Sequence, residues 1–336
     1  MQKWKYVIGI CLCWCIVGYA SCWADGTKRN KGNVLRPGDT IAVISPASPA
    51  DAAARQPAVQ LLQSWGYHIV QAPVRQYGYF AGTDEERAAE LNHYFNDNHV
   101  QAILCANGGY GSARILDKLD YTMIAKHPKL FIGFSDITAL HTALGEKSHL
   151  VTIHGPMECT LNPETSSAYT LQQFARGISS PQPLGPVPMP QGKSLHAVVP
   201  GNADGILVGG NLAILAAAVG TPYELNGKDA ILVLEEVGED AYRVDRMMQQ
   251  LWQSGLLRRV RGIVYGEFVQ CRHDPGDFTT EEVLQYYAKL AGKPAISGLP
   301  AGHGEDNLFL PLGVHARIES RSDGSASMYI DESPVK

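Results

Sequence analysis

The sequence predicts an α/β protein, with an N-terminal doubly wound parallel-sheet domain and a smaller mixed α/β C-terminal domain. Three observations predict it. Short continuous apolar runs alternate with helical stretches through the first half, the pattern of parallel strands buried on both faces. A Pro-rich interval at 179–201 then interrupts the chain. Beyond it apolar runs recur and give way to a tail that alternates polar and apolar residues.

Taken in order, residues 40–45 form a buried strand broken by Pro46 and Pro49. A helix is expected over 51–65, stopped by Gly66, and a second strand over 67–72. Asp84, Glu85 and Glu86 directly follow Thr83, the charge bias of a helix start, so 83–96 reads as a helix. A third strand at 100–106 ends in Asn107-Gly-Gly-Tyr-Gly111, with a helix over 113–119. A fourth at 130–133 ends at Phe134 and Ser135, with a helix over 136–145, and 151–153 is a fifth.

Pro181, Pro183, Pro186, Pro188, Pro190 and Pro200 forbid helix or central strand in the interval 179–201. That makes it a linker between a domain of residues 38–178 and one of residues 202–336. In the second domain 205–208, 230–234 and 260–268 read as strands, and Gly209-Gly-Asn211 opens an apolar helix. Residues 244–255 are an amphipathic helix, while 314–318 and 326–330 are antiparallel strands.

Composition narrows the function. With 45% hydrophobic and 18% charged residues the chain is an ordinary globular one, not a disordered one. A formal charge of −5 and the absence of basic clusters exclude a nucleic-acid partner. Lys3 and Lys5, an apolar stretch over 6–19, and the small residues Ala20, Ser21 and Ala24 have the order of a secretory signal, so 1–24 is expected to direct export and 25–37 to be a polar tether. Periplasm or cell envelope is then the expected location. Cleavage after Ala20 or Ala24, acylation of Cys22 as a lipoprotein, and retention as an uncleaved N-terminal anchor are the alternatives; a cleaved chain meets a membrane only if Cys22 is acylated. The remaining Cys105, Cys159 and Cys271 are too scattered for a disulfide framework or a metal site, and no histidine pair has metal-ligand spacing, so neither metal nor cofactor is expected.

Ligands of open parallel sheets bind beyond the carboxyl ends of the strands. Three distinctive stretches fall there: Asn107-Gly-Gly-Tyr-Gly111, Gly133-Phe-Ser-Asp-Ile-Thr138 and Glu235-Glu-Val-Gly-Glu239. Ser135, in a strand-to-helix turn, is either an exposed nucleophile with the Asp136 amide as oxyanion donor, or a helix cap. The glycine turn lacks a P-loop lysine and suits close-approaching amides. Of Glu235 and Glu236, which point to opposite faces of a strand, one can enter a site and needs a partner: a histidine, or Arg243 or Arg246. His303, in a Gly-flanked loop, and His154, at a strand end, are the competing bases; His141, on the helix after Ser135, is too displaced.

These stretches resemble the L,D-carboxypeptidase family of serine peptidases, the muramoyltetrapeptide carboxypeptidases and microcin C resistance peptidases. The likeness is carried by Gly38-Asp-Thr-Ile-Ala-Val-Ile-Ser-Pro46, Gly108-Gly-Tyr-Gly111, Gly133-Phe-Ser-Asp-Ile-Thr138, His154-Gly-Pro-Met157, Gly209-Gly-Asn-Leu212, Leu234-Glu-Glu-Val-Gly-Glu239, Tyr242-Arg-Val-Asp-Arg246 and Gly302-His303, in that order. The resemblance implies a catalytic triad of Ser135, Glu235 and His303, with oxyanion amides at Gly109 and Asp136. Gly108 is expected as a substrate contact, and the free carboxylate that an exopeptidase must read calls for helix-end amides or an arginine, of which Arg246 is the candidate. The resemblance further implies a homodimer that releases terminal D-alanine from murein tetrapeptides. Competing expectations are a microcin-resistance-type peptidase acting on peptidyl-nucleotides, an exported murein-peptide-binding protein without catalysis, and an α/β-hydrolase esterase, which the incomplete Gly-Phe-Ser-Asp-Ile turn disfavours.

Overall fold

The computed structural model describes residues 29–336. The signal-like segment and Cys22 lie outside the described residues. The first half builds strands β1 (Thr40–Ile44), β2 (His68–Gln71), β3 (Ala102–Cys105), β4 (Leu130–Gly133) and β5 (Thr152–His154), alternating with helices α1 (Ala52–Ser64), α2 (Asp84–Asn96), α3 (Tyr121–Lys126), α4 (Thr138–Lys147) and α5 (Ala168–Ser179). The strands are parallel and lie side by side as β5-β4-β3-β1-β2. Both faces are dry, and the two-residue repeat of a strand sorts the apolar residues between them. Ala42, Ile44, Ile103 and Phe131 enter one core; Ile41, Val43, Leu104 and Ile132 enter the other.

Local chemistry sets several boundaries. The α2 helix starts where its acids placed it, because Thr83 and Glu86 form a reciprocal capping box. The stretch expected as a helix over 113–119 is instead a 3-10 helix, Ser112–Lys118, opened by Gly111 at φ 132°. A second 3-10 turn, Ser135–Ile137, precedes α4.

The remaining strands are β6 (Gly185–Pro186), β7 (His196–Val199), β8 (Gly201–Asn211), β9 (Ala230–Val237), β10 (Gly262–Val269), β11 (Ala295–Ser297), β12 (Leu310–Leu312), β13 (His315–Ser320) and β14 (Ala326–Ile330), with helices α6 (Leu212–Ala218), α7 (Ala241–Gln253), α8 (Leu256–Arg259) and α9 (Thr280–Ala291). All except β12 form one mixed sheet in the order β6-β14-β13-β8-β9-β10-β11-β7. The Pro-rich interval contributes only β6 and β7, the two edges of that sheet, where a missing N–H is tolerated. Asn211 caps α6 by accepting from Ile214 N, as its position predicted.

Two expectations need correction. The segment read as a tether is docked from residue 29 onward: Asn30 bridges Leu150, the Val34 and Leu35 amides donate to the Lys336 and Ile178 carbonyls, and Leu35 is buried. A single apolar side chain with a matching pocket outweighs the polar character around it. The other concerns β12. It leaves the second sheet and pairs antiparallel with β5, Leu310 opposite His154, so the C-terminal half completes the first sheet.

Candidate active site

The carboxyl ends of β1, β3, β4 and β5 share one rim, and the candidate residues gather there. Ser135 directly follows the extended Phe134 and has φ 64°, a left-handed conformation that costs a side-chain-bearing residue about 1 kcal/mol or more. Its hydroxyl caps no amide among the described residues, so the helix-cap reading does not hold. Gly108 comes so close that a Cβ there would stand 3.1 Å from Ser135 Cβ and 3.3 Å from its Oγ. A side chain at 108 would have to push the serine aside by a few tenths of an ångström.

The glycine turn is fixed from several sides. Ser48 N donates to Gly108 O (3.1 Å), Ser48 Oγ accepts from Tyr110 N (3.1 Å), and Arg87 Nη1 donates to Gly111 O (2.9 Å). Gly109, at φ 93°, has no room for a side chain against Ser48. The Asp136 carboxylate accepts from Ser112 N (2.8 Å), which ties the serine turn to the glycine turn. Burial raises the Asp136 pKa, and the Ser112 and Gly111 amides and Arg87 oppose that rise.

Glu235 comes from the other sheet. On β9 it lies opposite Asn211 of β8, is fully buried, and accepts from His303 Nδ1 through Oε2 (2.8 Å). Burial alone would push its carboxyl up. The imidazoles of His303 and His154 outweigh that and hold it at about 2, so it is ionised at any pH where the protein works. Glu236 faces the opposite way, as strand alternation requires, and accepts from Asn211 Nδ2 (3.1 Å) and Ala213 N (2.8 Å). Neither acid pairs with the arginines: Arg243 meets Glu239, and Arg246 lies exposed over the Tyr242 ring. No contact among the described residues joins Arg246 to Ser135, Glu235 or His303.

The loop that carries His303 is held at several points. Glu267 N donates to Ala301 O, Leu308 N to Pro300 O, and Asp306 accepts from Ser167 Oγ (2.6 Å) and pairs with Lys193 (2.8 Å). Gly302, at φ 125°, packs so tightly that a Cβ would lie 2.7 Å from Glu235 Oε2. The His303 ring packs on Phe134, centroids 4.9 Å apart, next to the serine turn. The sheets are joined here too, since Thr138 Oγ1 of α4 accepts from Asn211 N of β8 (3.0 Å).

The other two candidate histidines are internal. His141 Nε2 meets Gly133 O at 2.8 Å, and burial lowers its pKa to about 3, so the ring is neutral and donates. His154 is fully buried, 3.6 Å from Glu235 Oε1 on the side away from His303. Among the described residues no group of three or more His, Cys, Asp or Glu side chains is arranged to hold a metal ion. A cavity of about 420 Å³ between α7 and the loop that joins β10 to α9, lined by Tyr242, Asp245, Arg272 and Phe278, includes none of the candidate residues. The strained turn marks the site.

The LD-carboxypeptidase N-terminal domain matches residues 41–155, and the LD-carboxypeptidase C-terminal domain matches residues 204–318. The chain belongs to the LD-carboxypeptidase family. It is an enzyme, a carboxypeptidase of the serine type. A Bacillus subtilis (strain 168) relative named "Probable murein peptide carboxypeptidase" is 38% identical over 300 residues, 86% of this chain and 92% of its own. Among solved structures, a muramoyltetrapeptide carboxypeptidase from Oxalobacter formigenes superposes with a TM-score of 0.77 at 30% identity, covering 87% of this chain and 99% of its own. An MccF-like protein from Bacillus anthracis gives 0.79 at 29% identity, covering 90% and 99%. An LD-carboxypeptidase is thus spread over both sheets, with its serine turn on one and its buried glutamate on the other.

Proposed function

We propose that the protein cleaves the L,D bond of murein tetrapeptides and releases the terminal D-alanine through an acyl-enzyme on Ser135. One observation carries this reading: His303, held by the ionised and buried Glu235, packs against Phe134, the residue before the strained Ser135. His303 Nε2 takes the hydroxyl proton as Ser135 Oγ attacks the carbonyl of the diamino acid, while Glu235 keeps Nδ1–H in place. The amides of Gly109 and Asp136 receive the oxyanion. Collapse expels the D-alanine amine, which takes the proton from His303. Water, deprotonated by His303, then hydrolyses the ester and frees the tripeptide.

In the same reading Gly108 flanks the bound peptide, and Arg246 is the candidate for its terminal carboxylate. Residues 1–24 export the enzyme to the cell envelope, and it works as a homodimer. The test is D-alanine release from a diaminopimelate-type tetrapeptide. Wild-type mature protein is expected to release it and Ser135→Ala to release none; a folded wild-type protein with no release would sink the tetrapeptide assignment.

A second reading, a peptidase acting on peptidyl-nucleotides, is favoured by one observation. Tyr79 and Tyr110 lie exposed beside the glycine turn with ring centroids 5.9 Å apart, faces on which a base can stack. Cleavage of a peptidyl-nucleotide with no release from tetrapeptide would select it.

A further inference from the structure

Three atoms at the heart of the site are sealed from solvent without a hydrogen-bond partner: His154 Nδ1, His154 Nε2 and Glu235 Oε1. A buried polar atom without a partner is unfavourable, and native proteins keep few of them outside functional sites. Two of the three face each other, Nε2 standing 3.6 Å from Oε1. That is longer than a hydrogen bond, and a shift of about 0.7 Å makes it one. The other oxygen of Glu235 already serves His303. The carboxylate therefore sits between two imidazoles, one at the reacting end and one in the core.

The placement of His154 is informative. It ends β5, lies opposite Gly133 of β4 two residues before Ser135, and pairs on its other side with Leu310 of β12. Its ring is boxed by Phe134 (5.9 Å between centroids) and His141 (6.4 Å). The titratable groups facing it are Glu235 from β9 and His141 from α4, with His303 beyond Glu235. His141 Nε2 donates to the Gly133 carbonyl and its Nδ1 is also sealed without a partner, but the oxygen that faces His154 Nε2, at 3.6 Å, is Glu235 Oε1.

Resting on the triad proposed above, we propose that His154 is a positioning residue: its Nε2–H holds Glu235 Oε1, so that the carboxylate cannot swing and its second oxygen stays on His303. Because His154 belongs to the nucleophile's sheet and Glu235 to the other, the contact also sets the spacing between serine and acid.

The test compares His154→Phe, which keeps a ring and removes the donor, with His154→Gln, whose amide can reach Oε1. Two readouts are followed: kcat and KM for D-alanine release, and the pH titration of His303 by NMR on 15N-histidine-labelled protein, assigned with His303→Asn. In His154→Phe the carboxylate is free to swing its second oxygen away from His303. The His303 midpoint is therefore expected to fall, and kcat to fall roughly 10–100-fold with KM little changed, the size of one charge-assisted hydrogen bond. His154→Gln is expected to restore both toward wild type. Should the Phe variant not fold, His154→Asn, too short to reach Glu235, gives the same readout.

A folded Phe or Asn variant with the wild-type His303 midpoint overturns the proposal, as does a Gln variant as impaired as Phe. The titration needs no substrate. If wild type releases no D-alanine while the midpoint still moves, the tetrapeptide assignment fails and the role of His154 stands.

Discussion

At the scale of single residues, the site concentrates unfavourable features. Ser135 is held at positive φ, Glu235 is an ionised carboxylate with no exposure, and His141 is kept neutral by burial. Each is unfavourable for folding, and the first two stand where the proposed chemistry needs them. The strain at Ser135 is open to measurement. Glycine adopts φ 64° without penalty, so Ser135→Gly is expected to be about 1 kcal/mol more stable than Ser135→Ala in guanidinium denaturation. Equal midpoints with equal slopes would show that the turn is not strained. Both variants lack the hydroxyl, so the comparison isolates backbone conformation from catalysis.

At the scale of elements, the site depends on glycines that let strands and loops approach. Gly210, at φ 136°, admits Thr138, and Gly302 admits Glu235. Gly302→Ala would force a methyl group to within 2.7 Å of Glu235 Oε2 and 3.0 Å of its Cβ, pushing the His303 loop outward. The expected result is a loss of kcat of about 100-fold with an unchanged far-UV spectrum, since a displacement on the order of 1 Å is enough. Activity within a fewfold of wild type would mean that the loop yields without moving its histidine.

This is also the scale at which sequence reading succeeded and failed. The strand Leu130–Gly133 was legible as a continuous apolar run, and the ends of β3, β4 and β9 pointed to Gly108, Ser135 and Glu235. Helices α5 and α9 escaped although their caps were visible, Ser167 before one and the Thr279 to Glu282 box before the other. The short strands β11 and β12 carry too few residues for a period to emerge. The pairing of His154 with Glu235 was illegible for another reason. The two residues lie on different sheets, and their meeting depends on how those sheets pack, which no local pattern encodes.

At the scale of the whole molecule, the two family domains do not close separately. Residues 310–312 return to the first sheet as β12, and Phe309 packs against Phe174 of α5 in its core. A fragment of residues 29–178 would lack both, leaving β5 as an open apolar edge. Such a fragment is expected to aggregate or to unfold without a cooperative transition, as size-exclusion chromatography and thermal circular dichroism would show. A monomer with a sharp transition would mean that the first sheet is self-sufficient.

The same return path places His303 on the span between β11 of the second sheet and β12 of the first. The general base is therefore mounted on a bridge anchored at one end one strand away from the acid's strand and at the other beside the nucleophile's neighbour strand. No displacement of one half against the other can leave it in register with both. The base and the two groups it serves are fixed relative to one another by a single stretch of backbone that crosses from sheet to sheet.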